Sequence, residues 1–161
     1  MVDFIIREII NQPRDIVIKA FLNPANMIFW TKDLEKFEVI AGKPGEIGSI
    51  AYLHYRQNNK RYKMRDELIE CNPGFRYLSR VTGDTITATV ETYLKDVGND
   101  TELTIHWTGS GNSFLLKIIL PLSKRKMIHQ AKNKLKTFKD LVEKRGVHFN
   151  IFVHKISKYT L

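Results

Sequence analysis

The chain holds a single cysteine, Cys71, in 161 residues, so no intrachain disulfide can form, and a free thiol suits a reducing cytoplasm. Cys71 has no histidine or second cysteine at motif spacing, and it reads as a small side chain at a strand end. No apolar run approaches the ~18 residues that a membrane span requires. The first eight residues, Met-Val-Asp-Phe-Ile-Ile-Arg-Glu, carry an acid where a secretion signal carries bases, and no small-residue cleavage site follows. The expectation is therefore a cytoplasmic protein. Repeats, low-complexity stretches and linkers are also missing.

Chemical signatures are equally scarce. His54, His106, His129, His148 and His154 never fall at H-x-x-x-H or H-E-x-x-H spacing, which argues against a metal centre and leaves them as strand or surface histidines. There is no G-x-S-x-G elbow. Gly109-Ser-Gly-Asn-Ser113 lacks the Gly-Lys-Ser/Thr of a phosphate loop, and reads instead as a junction with Asn112 or Ser113 capping a helix. No cofactor is implied.

What is present is a folded, basic domain. Hydrophobic residues make up 43% and charged residues 27%, with a net charge of +9; that charge permits attraction to nucleic acid, anionic lipid or acidic protein without choosing among them. Val2 to Ile10 reads as a strand. Two short helices follow, broken at Asn23-Pro24, where Asn23 can cap and Pro24 fixes the first turn. Six extended segments come next: 34–41, 47–57, 61–71, 75–81, 85–97 and 102–108. Lys43-Pro44-Gly45, Asn58-Asn59, Asn72-Pro73-Gly74, Gly83-Asp84 and Gly98-Asn99-Asp100 separate them, which is the punctuation of an antiparallel meander. One helical pattern runs over roughly 113–145, with Pro121 expected to kink it and Gly146 to end it.

Alternation sorts the strand faces. Leu103, Ile105 and Trp107 share one side, as do Ile86, Ala88, Val90 and Leu94; Tyr62, Met64, Asp66 and Leu68 share a parity. Segment 47–57 is apolar on both parities and stays undecided. On the helix, Met127, Ala131, Leu135, Phe138 and Val142 form the apolar stripe, amid Lys124, Arg125, Lys126, Lys132, Lys134, Lys136 and Lys139.

Asn23-Pro24-Ala-Asn-Met27 through Trp30, Phe37-Glu-Val-Ile-Ala-Gly-Lys-Pro-Gly-Glu-Ile-Gly48 and Glu67-Leu-Ile-Glu-Cys-Asn-Pro-Gly74 resemble the START-like (SRPBCC) superfamily. Within it they look most like the branch named for polyketide cyclases, dehydrases and lipid transport. The resemblance covers residues 1–146 as one domain and leaves 147–161 as a C-terminal extension, either an edge strand or a surface segment. It implies an α+β helix-grip fold: a curved antiparallel sheet, in β-α-α-β6-α order, wrapped around the C-terminal helix and enclosing a tunnel for an apolar ligand. It carries over no catalytic residue.

The expected pocket walls are Trp30, Met64, Phe75, Tyr77, Ala88, Val90, Ile105 and Trp107, with Phe114, Ile118, Met127 and Ala131 from the helix. Tyr52, His54 or Asp66 would supply polarity. The leading expectation is binding, or transport, of a hydrophobic small molecule or lipid without catalysis. The enzyme alternative is a cyclase or dehydratase with Asp66 or His54 as general acid or base, its pKa moved by apolar walls. A third reading is an interaction module whose basic helix meets acidic protein or RNA. Phe114–Leu122 beside Lys124-Arg125-Lys126 also forms a surface suited to transient contact with an anionic membrane. Nucleic acid is disfavoured, because the aromatics are not interleaved with bases on one open face.

Overall fold

The computed structural model describes residues 1–150. Strand β1 (Val2–Ile10) leads into α1 (Arg14–Leu22), a 3₁₀ turn (Pro24–Asn26) and α2 (Met27–Trp30). Six strands follow: β2 (Leu34–Ala41), β3 (Ile50–Gln57), β4 (Lys60–Asn72), β5 (Arg76–Thr82), β6 (Ile86–Val97) and β7 (Asp100–Gly111). Then come α3 (Phe114–Ile119), a second 3₁₀ turn (Leu120–Ser123) and α4 (Lys124–Arg145). The helical pattern over 113–145 is thus two helices. Pro121 lies in the 3₁₀ turn between them, where its missing N–H and its ring prevent one continuous α-helix.

The sheet is antiparallel throughout, in the order β1-β7-β6-β5-β4-β3-β2. Consecutive strands pair through short turns, while α1 and α2 carry the chain from one edge strand, β1, to the other, β2. Local chemistry sets these joints. Asn58 and Asn59 take φ of 51° and 60°, closing the two-residue β3–β4 hairpin in the left-handed region that asparagine tolerates. The Asn23 Oδ1 accepts from the Ala25 N–H at 3.1 Å, and the Ser113 Oγ from the Leu116 N–H at 3.2 Å, each satisfying an otherwise orphaned donor. Gly111 lets α3 close on the sheet, since a Cβ there would sit 2.3 Å from that of Leu116. Register shifts fall at Leu34/Lys36 and Val39/Ala41 in β2 and at Leu68/Glu70 in β4; such bulges bend strands and help the sheet curl.

The core lies where α4 crosses the sheet toward β1. Leu135, Phe138 and Val142 are buried there with Ile10, Leu103, Val17 and Ala20. Phe138 packs edge-on to Phe21 and 4.9 Å from the Trp30 ring. Beyond α4 the chain returns: Phe149 is fully buried, 5.8 Å from Phe138, and its N–H donates to the Asn26 Oδ1. The rest of the expected extension, 151–161 with His154, lies outside the described residues.

A cavity with one cation and one acid

Further along the sheet the layers part. A partly open cavity of about 420 Å³ lies between the inward faces of the strands and α4, within the usual size range for small-molecule sites. Its walls are Phe4 and Ile6 from β1, Phe37 and Val39 from β2, and Ala51, Leu53 and Tyr55 from β3. Met64, Asp66 and Leu68 of β4, Tyr77, Ser79 and Val81 of β5 and Ile86, Ala88, Val90 and Thr92 of β6 continue it. Ile105 and Trp107 of β7, Phe21, Leu22, Met27 and Trp30 of the first helices, and Ala131, Lys134 and Leu135 of α4 also line it, with Pro44, Gly45, Ser49 and Ile50 from the β2–β3 connection and the start of β3. Beside it the sheet packs closely. Gly109 has no room for a side chain, because a Cβ would meet the Trp107 ring at 2.6 Å and the Ala88 Cβ at 2.8 Å.

Of the expected walls, Trp30, Met64, Tyr77, Ala88, Val90, Ile105, Trp107 and Ala131 lie on the cavity. Six expected residues lie elsewhere. Phe75 sits on the turn ahead of β5, half exposed, with the Arg14 guanidinium 3.7 Å above its ring. Tyr52 stands on the outer face beneath the Lys63 ammonium, at 4.2 Å. Phe114 is 82% and Ile118 54% exposed on α3, because that helix packs by Leu116 and turns its remaining apolar side chains to solvent. Met127 packs against the core rather than the cavity. His54 also faces outward, its Nε2 3.0 Å from the Glu38 Oε2.

Asp66 is different. It lines the cavity, its carboxyl accepts a hydrogen bond from the Ser79 hydroxyl, and burial pushes its pKa up. The adjacent base, Arg65, is engaged with another acid, Glu67. The only cation among the described lining residues is Lys134, which sequence reading placed with the surface lysines. Its ammonium lies 4.9 Å from the Trp30 ring centroid. Burial pushes its pKa down to about 8, against the pull of the Asp66 charge. The spacing held a signal for it, since Lys134 is three residues after Ala131 and four before Phe138, on the apolar stripe itself. Cys71 is half-buried, its thiol 3.5 Å from the Gly45 carbonyl and pushed up by burial; it is a packing residue.

Solved structures share this architecture. A conserved protein from Geobacillus kaustophilus superposes with a TM-score of 0.73 at 12% identity, over 90% of this chain and 97% of that one. Ara h 8.0201 gives 0.69 at 13%, over 87% and 96%. Major latex-like protein 151 from Panax ginseng gives 0.64 at 11%, over 86% and 95%. The fold is helix-grip. No family model matches the sequence, and no curated protein does. Identities this low speak to the fold alone, so the chemistry of the helix-grip cavity has to be argued from its own side chains.

Proposed function

We propose that the protein binds, and carries, a hydrophobic small molecule or lipid in this cavity without reacting with it, as the lipid-transport branch of the START-like resemblance suggests. The observation that carries the reading is the cavity itself: about 420 Å³ between sheet and helix, walled chiefly by aliphatic and aromatic side chains, in a molecule whose interior could otherwise close to ordinary packing density. Native mass spectrometry and lipid extraction of protein purified from cells should show a co-purifying ligand. Protein that is repeatedly empty, and that neither fatty acids nor polyaromatics stabilise, would end the reading.

One observation favours a second reading. Asp66 reaches the cavity with a raised pKa, as a general acid for a cyclisation or dehydration would. The enzyme version rests on Asp66 alone, since His54 points away from the cavity. Turnover of a polyketide-like substrate that survives Asp66→Asn would remove it.

The same chain offers a route for apolar cargo to arrive. Phe114, Leu115, Ile118, Ile119 and Leu122 are exposed, next to Lys117, Lys124, Arg125 and Lys126. An apolar ridge edged by cations suits the interface of an anionic bilayer. Vesicles of phosphatidylcholine with phosphatidylserine should therefore bind the protein in a salt-sensitive way, and phosphatidylcholine alone should not. Phe114→Ser with Leu122→Ser should weaken binding about tenfold or more; equal binding to both vesicles, or no loss in the variant, refutes the contact. Among the cations of α4, Lys139 lies 3.8 Å from Glu8 on β1, whereas Lys132 and Lys136 are exposed.

A further inference from the structure

Among the described residues lining the cavity there is one base, Lys134, and one acid, Asp66. They come from opposite walls, α4 and β4, and do not form an ion pair. Lys134 has no hydrogen-bond or ion-pair acceptor among the described residues; what it faces is the Trp30 ring at 4.9 Å. The Trp30 indole N–H is itself buried without a partner. Other lysines of α4, Lys132 and Lys136, are exposed. A lone ammonium turned into an apolar cavity is costly unless something of opposite charge meets it.

Resting on the cavity reading above, we propose that the cargo is an amphipathic carboxylic acid, its apolar body against the sheet and its carboxylate on the Lys134 ammonium. One cation matches one negative charge. A phosphate dianion would leave a second charge uncompensated among apolar walls, which disfavours it. As the ligand's carboxylate arrives, Asp66 can take up a proton, since burial has already raised its pKa, and it then donates rather than repels. The other titratable side chains on the cavity are the phenols of Tyr55 and Tyr77, both pushed up by burial, so they stay neutral while Lys134 is charged. Affinity for the carboxylate should decline gently with rising pH where Asp66 must take up a proton, and more steeply above pH 8, as Lys134 loses its proton from a pKa of about 8.

The experiment pairs each acid with its uncharged analogue, measured by calorimetry or dye displacement at pH 7. Dodecanoate is set against dodecanol, and 2-naphthoate against 2-naphthalenemethanol; the two pairs distinguish a fatty acid from an aromatic one. In at least one pair the acid should bind the native protein about 10- to 100-fold tighter, the worth of a charge-assisted hydrogen bond. Lys134→Met should abolish that preference while keeping affinity for the alcohol, and Lys134→Arg should retain part of it. Equal binding of acid and alcohol, or a preference that survives Lys134→Met, overturns the carboxylate proposal and leaves the cavity reading standing. Binding of none of the four would overturn both.

Discussion

Asn26→Ala should be among the most destabilising single substitutions in the molecule, although its side chain hydrogen-bonds to neither the cavity walls nor the sheet. Asn26 is 2% exposed. Its Nδ2 donates to the Ala20 carbonyl at 3.0 Å and the Val147 carbonyl at 2.7 Å, and its Oδ1 accepts the Phe149 N–H at 3.0 Å. One side chain thereby satisfies backbone groups from the end of α1 and from the segment beyond α4. Alanine leaves two buried partners and one part-buried partner without a mate, each buried one at about 1–3 kcal/mol before relaxation. We expect a net loss of about 2–4 kcal/mol, and a Tm lower by roughly 5–15 °C for a domain of this size. Phe149, fully buried against Phe138, is held by the same latch. Asn26→Ala and Phe149→Ala should therefore be less than additive in a double-mutant cycle. A loss under about 1 kcal/mol, or full additivity, would show that the segment after α4 contributes little to the fold.

Most of the framework was legible because turn chemistry and alternation agree along this chain. Strands β2 and β6 run over 34–41 and 86–97, within a residue of the segments that punctuation alone delimits. The unresolved face of 47–57 was also within reach. A two-residue Asn58-Asn59 turn pairs Gln57 with Lys60, and the register then sets Leu53 opposite Met64 and Ala51 opposite Asp66. Opposed residues share a face, so Met64 and Leu68 pointing inward force Ala51, Leu53 and Tyr55 inward, and send Tyr52 and His54 out. The error over His54 came from reading a strand alone when its hairpin partner already decided the matter. Phe114 and Ile118 failed for another reason. An apolar run says that side chains avoid water, yet a six-residue helix set off by Pro121 has only one short face against the sheet. Asn26 carried no local signal at all, since its partners at Val147 and Phe149 lie more than a hundred residues away.

Lys134→Met should raise stability at pH 7, and the gain should shrink as the pH rises. An unfolded chain holds this ammonium with a pKa near 10.5, whereas in the fold it is about 8. Below pH 8 both states carry the charge, and the folded state bears the full cost of its desolvation. Between about pH 8 and 10.5 the folded protein has released a proton that the unfolded chain retains, so the unfolded state binds more protons and native stability rises with pH. The difference corresponds to at most about 3 kcal/mol. Part of the side chain is in contact with the cavity's interior space, which reduces this, and about 1–2 kcal/mol is a fair expectation at pH 7. Tm should increase by roughly 2–8 °C. Asp66 does not reverse the sign, because with Lys134 gone its already raised pKa climbs further and it discharges by protonation. The measurement is the stability difference between the native protein and Lys134→Met across pH 7 to 10, where titrations common to both proteins cancel. A variant less stable at pH 7, or a difference flat across that range, would mean that the ammonium finds its solvation in the fold and is under no electrostatic strain. If the difference has the expected slope, whichever acid binds, dodecanoate or 2-naphthoate, should erase most of it at pH 7 by stabilising the native protein and not the variant. A residue that weakens the empty fold and strengthens the loaded one is then retained for its ligand rather than for the fold.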